Sequence, residues 1–298
     1  MSPVGLCDLP PVAGLAAEVG QGSSLQELAS ASSLARVHHP GYTPFSYNLV
    51  RVGGDWDFEL PDATVLQLQE AGLEQLVTLR PHAVMGEQPP AQLPSDVDDY
   101  ALFVERLVER YDGDGVDDMP GLELPVRAWE IDNEPSMALE DPSLYVELVE
   151  VSVEAIRRAD PQATILVGGA APILGPDIPI YGAHLERFWA GLFALGVMEH
   201  VDVFNFHAPV GDHVDPADLV ASWEELGAPQ ELPWWITEAG SSDPTGGAIH
   251  EDDAVRADWL DAWLGSALGQ VDRVLICDAS ALASQPLLLD VIAEHNSR

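Results

Sequence analysis

The sequence predicts an α/β chain folded as one (β/α)8 barrel, a TIM barrel of parallel strands, over residues 1–298. Three observations carry that prediction. From residue 34 onward, short bulky runs alternate with helical periods, the pattern of a parallel sheet wrapped by helices. Seven such runs are distinct: 34–38, 74–80, 126–132, 163–168, 201–207, 233–237 and 271–277. Polar residues collect where the runs stop, at His38, His82, Asn133, Glu134, His207 and Glu238. A barrel brings all such ends to one mouth. An open doubly wound sheet is the alternative, but the sequence lacks the Gly-x-Gly-x-x-Gly fingerprint that would mark it.

The first thirty residues are small, polar and glycine-rich, so the first strand of the eight has no clear pattern. Residues 26–33 read as a short helix. The strand 34–38 runs into His38-His39-Pro40-Gly41, and a loop bearing Tyr42, Phe45, Tyr47 and Trp56 follows. Residues 61–72 form a helix with Val65, Leu66 and Leu68 inward, and the strand 74–80 stops at Pro81-His82. Ser95 is placed to cap a helix over 97–110, with Leu102, Val104, Leu107 and Val108 toward the core. An acidic loop, 112–118, precedes the strand 126–132.

Asp141-Pro142 supplies a cap and a proline at the first helical position. The helix it opens runs to Arg158 with Leu144, Leu148, Val151 and Ala155 on one face. The strand 163–168 is ended by Gly168-Gly169. Helices over 184–195, 216–226, 252–268 and 286–295 separate and follow the remaining strands. Trp259 and Trp263, one turn apart, read as packing residues. No internal repeat or low-complexity linker divides the chain.

Composition narrows the function. Against 50 acidic residues stand 12 basic ones, all arginine, for a net charge of −38. Such a surface repels phosphates, so nucleic acid is excluded as a partner. The acids are dispersed along helices and read as a solvated coat. No apolar run reaches the length of a membrane span. The stretch 1–8 has neither the basic region nor the apolar core of a secretory signal. The compartment is therefore unassigned, and an extracellular setting with such a signal outside this chain stays open. The two cysteines, Cys7 and Cys277, make no disulfide framework. Cys277 lies in an apolar run and reads as a small buried hydrophobe; pairing with Cys7 is left open.

The run Val126-Arg-Ala-Trp-Glu-Ile-Asp-Asn-Glu-Pro135 is a strand that halts abruptly. Pro135 has no N–H for a ladder and biases Glu134 toward an extended or turn backbone. The strand thus delivers a carboxylate at its end, with an amide beside it. Leu232-Pro-Trp-Trp-Ile-Thr-Glu-Ala-Gly240 repeats the plan and ends in Glu238. Two such carboxylates suit opposite sides of one sugar. In retaining hydrolysis they stand about 5–5.5 Å apart, one as acid/base and one as nucleophile. The alternative is two solvated acids among the 50.

With both motifs in hand, the chain resembles the (β/α)8-barrel glycoside hydrolases of clan A over residues 30–280. Trp129-Glu-Ile-Asp-Asn-Glu-Pro135 matches the motif after strand four, and Trp235-Ile-Thr-Glu-Ala-Gly240 the one after strand seven. The resemblance implies a carbohydrate substrate, no required cofactor, Glu134 as acid/base and Glu238 as nucleophile. It also implies that Asn133 binds the sugar 2-hydroxyl, that Arg36 supports the nucleophile and that His207 lines the site. Arg36 can equally be a buried structural ion pair. His38 and Trp235 are further candidates for sugar contact, and Trp56 and Trp234 are other stacking surfaces. Two departures stand out: Ala208-Pro209 where the family often has a tyrosine after the histidine, and Ile276-Cys277-Asp278-Ala279 where it often has a tryptophan. They motivate a rival reading, a carbohydrate-binding barrel without turnover.

Two metal readings complete the expectations. Asp112, Asp114 and Asp117, with Asp118 beside them and glycines between, resemble a calcium loop, although the EF-hand pattern and its terminal Glu are missing. A solvated acidic turn is the alternative. A barrel lyase or isomerase holding a metal on Asp132, Glu134 and His207 is a third, remoter reading. No zinc, nucleophile-elbow or phosphate-loop motif is present.

Overall fold

The computed structural model describes residues 2–7, 22–38, 43–82, 92–174, 182–208, 214–240, 252–277, 282 and 285–298. Eight parallel strands form one sheet. They are β1 (Val4–Leu6), β2 (Leu34–Val37), β3 (Glu74–Leu79), β4 (Ala128–Ile131), β5 (Thr164–Val167), β6 (Phe204–Ala208), β7 (Trp234–Ala239) and β8 (Arg273–Ile276). The order is β5-β4-β3-β2-β1-β8-β7-β6. Parallel bridges Leu166–Val203 and Ala170–Phe206 join the two outer strands and close the ring. The (β/α)8 barrel expected from the sequence is therefore the observed fold.

The indistinct first strand is three residues, Val-Gly-Leu. Its glycine is dictated by close approach: a Cβ on Gly5 would sit 2.9 Å from Leu275 Cγ and 3.1 Å from Leu34. A short strand centred on glycine has little β signal of its own. Pairing with β8 runs Val4–Val274, Gly5–Leu275, Leu6–Ile276. The next position in that register joins Cys7 to Cys277, and the two form a disulfide. Cys277 is buried, as its apolar setting implied, but as half of a bridge.

The helices are α1 (Gly22–Ala31), α2 (Tyr47–Val50), α3 (Glu59–Glu70), α4 (Val97–Tyr111), α5 (Pro135–Ala138), α6 (Pro142–Ala159), α7 (Gly182–Ala194), α8 (Pro216–Glu225), α9 (Asp253–Ala267) and α10 (Pro286–Ser297). Asp141 caps α6 by accepting from Ser143 N, with Pro142 at the first position. For α4 the cap is Asp96, not Ser95, because its carboxylate reaches Asp99 N. Leu102 faces outward at 41% exposure, and Phe103 takes the core place. Of the tryptophan pair on α9, Trp263 is buried and Trp259 is partly buried against it.

Inside the barrel the side chains are layered by the two-residue period of the strands. Leu34, Leu76, Ala128, Leu166, Val203, Trp235 and Leu275 form an apolar cluster with the disulfide sulfurs. Two residues further along their strands come Arg36, Thr78, Glu130, Asn205 and Thr237, all buried and polar. Two further still come Arg80, Asp132 and His207. The barrel thus changes from hydrocarbon to polar along its own axis, toward the strands' carboxyl ends.

Candidate active site

Arg36 is the hub of the polar layer. Its Nε donates to Glu130 Oε2 at 2.7 Å, its Nη1 to Glu238 Oε1 at 2.6 Å, and its Nη2 to Asn133 Oδ1 at 2.6 Å. Arginine is only a donor, so this contact fixes the Asn133 amide with its oxygen on Arg36 and its NH2 without a partner among the described residues. Burial opposes the Arg36 charge, but Glu130 and Glu238 outweigh it, and its pKa is raised. The two readings of Arg36 merge: it is a buried structural ion pair through Glu130 and a support for Glu238.

Glu130 has no solvent exposure. It accepts from Thr78 Oγ1 and Asn205 Nδ2, each at 2.7 Å, besides Arg36. A buried carboxylate so surrounded by donors meets the requirement for charge inside a protein. Glu130, Thr78 and Asn205 belong to the site although no motif in the sequence singles them out. The signal was parity: Glu130 shares the face of Ala128, while Trp129 and Ile131 face the helices.

Glu238 reaches the mouth through a bulge. The β6–β7 register shifts between Phe206–Ile236 and His207–Glu238. Thr237 is the extra residue. It faces inward, where Asn205 Nδ2 donates to its hydroxyl at 3.0 Å. A regular strand would then send Glu238 outward; the bulge re-aims it. Burial alone would raise its pKa, but His207 and Arg36 overcome that and lower it.

Glu134 is positioned by a strained turn. Asp132 (φ +65) and Glu134 (φ +47) both adopt the left-handed region, unusual for residues other than glycine. Glu134 N donates to Gly169 O at 3.2 Å. Proline at 135 does bar a continuing strand, but the backbone before it is left-handed rather than extended. Tyr145 clamps the strand end, its hydroxyl donating to Ile131 O at 2.6 Å and accepting from Gly168 N at 2.5 Å.

His207 lies between the two carboxylates. Its Nδ1 is 2.8 Å from Glu134 Oε1 and 3.5 Å from Glu238 Oε2. Burial would lower the imidazole pKa, but Glu238 and the hydrogen bond to Glu134 raise it. A Cβ at position 169 would stand 2.1 Å from His207 Nε2, so only glycine there admits the ring. One oxygen of Glu134, one of Glu238 and a His207 nitrogen all lie within 4.8 Å of one another. The glutamate side chains remain 29% and 27% exposed, so both keep an open face.

The other candidates separate. His38 is buried just past β2, and His39 falls outside the described residues. Trp235 is not at the mouth. Three residues before Glu238, its ring fills the apolar interior layer under the Arg273 guanidinium, 4.9 Å from the ring centre. Trp234 faces the helices, packed on Phe204 with its Nε1 donating to Pro229 O at 2.7 Å. Trp56 belongs to the hairpin Arg51–Val52/Asp55–Trp56, where Arg51 and Arg106 lie 4.6 and 4.8 Å from its ring centre.

In the acidic loop, Asp112, Asp114 and Asp118 gather, and Asp117 is not in the group. Loop amides already engage them: Asp114 N on Asp112, Val116 N on Asp114 and Gly115 N on Asp118. Nor do Asp132, Glu134 and His207 gather as one set: the groups that come together there are Glu134, His207 and Glu238. Beside Glu238, the nearest fixed positive charge is Arg36.

No protein-family model matches the sequence, and no curated protein does. Solved structures do match. A glucosidase from Croceicoccus marinus superposes with TM-score 0.65 at 16% identity, over 98% of this chain and 65% of that one. A family 39 glycoside hydrolase from Bacteroides cellulosilyticus WH2 gives 0.61 at 18% identity, over 99% and 63%. A thermostable mutant of the xylanase Xyn10A from Cellvibrio japonicus gives 0.63 at 13% identity, over 100% and 98%. The chain thus spans less than two thirds of the first two. What is shared at these identities is the fold, a (β/α)8 barrel.

Proposed function

We propose that the protein is a retaining glycoside hydrolase that cleaves β-glycosidic bonds of oligo- or polysaccharides without a required cofactor. Glu238, held ionised by Arg36 and His207, attacks the anomeric carbon. Glu134 gives its proton to the glycosidic oxygen as that bond breaks. Glu134 then takes a proton from water, which attacks the anomeric carbon and frees Glu238. His207 Nδ1 hydrogen-bonds the Glu134 carboxyl at 2.8 Å and orients it toward the glycosidic oxygen. The Asn133 NH2 is free to hold the sugar 2-hydroxyl.

The observation that carries this reading is the approach of one Glu134 oxygen and one Glu238 oxygen within 4.8 Å, Glu134 in the turn after β4 and Glu238 on β7. So short an approach of one oxygen from each is compatible with the roughly 5–5.5 Å carboxyl separation of retaining enzymes. The test is an aryl β-glycoside panel with the product anomer followed by proton NMR. Hydrolysis with retention supports the reading, and inversion or no hydrolysis overturns it.

One observation favours the rival, a carbohydrate-binding barrel without turnover. Position 277, at the end of β8 where the family often carries a tryptophan floor, is committed to the Cys7 disulfide. Sugar-induced change in tryptophan fluorescence, with no hydrolysis of any glycoside, would select it.

A further inference from the structure

Asp132 is fully buried, and its backbone is left-handed. Its Oδ1 accepts from Asn133 N at 2.7 Å and from Arg80 Nε at 3.0 Å. Its own N–H donates to Leu79 O at 2.8 Å, the last strand bond before the turn. Arg80, nearly as buried, is fixed through its main chain: its carbonyl accepts from Tyr47 N and its N–H donates to Phe45 O. An ion pair this deep costs desolvation on both sides and is weak evidence for stability as such. The second oxygen, Oδ2, is buried and has no partner among the described residues. Burial raises this carboxyl to about 6 even with Arg80 beside it.

What the pair does touch is the turn. The three residues 132–134 contain two left-handed non-glycine positions, and such a backbone persists only where its surroundings over-determine it. From the far side, Tyr145 and Gly169 hold Ile131 and Glu134. From the near side, among the described residues, the side chain that captures the turn's amide is Asp132. Aspartate suits both needs, being tolerant of the left-handed region and carrying an acceptor short enough to reach the next amide.

We propose that Asp132, clamped by Arg80, is a positioning residue that aims Asn133 and Glu134 at the substrate, and so sets the efficiency of proton donation. The inference rests on the hydrolase reading of the same site. Asp132 touches no substrate itself. Loss of its carboxylate releases Asn133 N, lets the strained turn relax and moves the Glu134 carboxyl away from the leaving oxygen.

The test separates the carboxylate from the backbone. Asp132→Gly keeps the left-handed backbone free of strain but removes the acceptor; Asp132→Asn keeps an acceptor oxygen of the same reach. The readout is kcat/KM on glycosides with poor and good leaving groups, since only the poor ones need the acid in bond cleavage. Asp132→Gly is expected to lose roughly 10- to 100-fold on an alkyl glycoside, a fraction of what a general acid supplies. It should keep a 2,4-dinitrophenyl glycoside within about 3-fold, again because no proton is needed there. Asp132→Asn is expected to recover most of the loss. Equal losses on both substrates, or none, overturn the proposal. If Asp132→Gly does not fold, Asp132→Asn and Arg80→Lys decide on the same two substrates. A wild-type protein that hydrolyses neither substrate overturns the hydrolase reading first.

Discussion

Arg36 and Glu130 meet at 2.7 Å inside the barrel, and neither has any solvent exposure. The pair fixes the guanidinium so that its two remaining arms point at Asn133 and Glu238. Replacing Arg36 by Lys keeps the charge but not the fork, and donors leaving a single nitrogen cannot span acceptors that Arg36 reaches from three. The Arg36→Lys protein is expected to stay folded and lose kcat/KM at least about 10-fold, read on an aryl glycoside. Glu130→Ala removes the buried partner of Arg36, leaving it Glu238 and Asn133, and is expected to cost up to about 3 kcal/mol in urea unfolding. An unchanged unfolding midpoint would show that Glu130 is not the anchor.

The nucleophile and acid roles proposed for Glu238 and Glu134 can be tested separately. Glu238→Ala removes the nucleophile, so turnover is expected to vanish on every glycoside. Azide should partly restore it and give a glycosyl azide of inverted configuration. Glu134→Ala removes the acid, so substrates with good leaving groups are spared in kcat/KM, and azide gives the retained product. Mass spectrometry and NMR of the azide products check the assignment. Exchanged stereochemistry would reverse the roles.

The pH dependence follows from directions of shift. Glu238 sits below its ordinary 4.5, so its stabilising contribution is full above that value and lost as pH falls through its lower folded pKa. His207 sits above its ordinary 6.5, so its contribution is full below 6.5 and lost as pH rises through its higher folded pKa. Asp132, raised to about 6, contributes most below its ordinary 3.8, and that contribution is lost as pH rises through 6. On the proposed mechanism, activity needs Glu238 ionised and His207 holding its proton between the two carboxylates. The kcat/KM profile is expected to have an acid limb below 4.5 and an alkaline limb above 6.5. His207→Asn should move the alkaline limb and leave the acid limb in place. A profile indifferent to that change would remove His207 from proton control.

The disulfide joins Cys7 and Cys277 across 270 residues. Closing so long a loop restricts the unfolded chain strongly, by roughly 5 kcal/mol in the chain-entropy view. Cys7→Ala/Cys277→Ala is expected to lower the urea midpoint by about 3–5 kcal/mol worth of stability, and dithiothreitol should do the same to the wild type. Equal midpoints with and without reductant would mean that the β1–β8 seam needs no staple.

The strand–helix alternation was legible because seven of the strands and most helices carry their own hydrophobic periods and caps, Asp141-Pro142 above all. The strand β1 was not, because Val-Gly-Leu gains its conformation only from Leu275 and Leu34 on either side. Trp235 misled for a related reason: a tryptophan near a motif looks like a sugar platform until its depth along the strand is known.

By itself the sequence determined the barrel, the two strand-end glutamates, and the residue types beside them. Those depend on local periodicity and on where a strand must stop. Only the tertiary structure decided that Thr237 forms a bulge that turns Glu238 to the mouth and that Glu130 anchors Arg36. It also decided that Asp132 is bound to Arg80 and that Cys7 meets Cys277. Each of these joins residues from different strands, and their meeting is fixed by register and burial around a closed ring, quantities no short window of sequence contains.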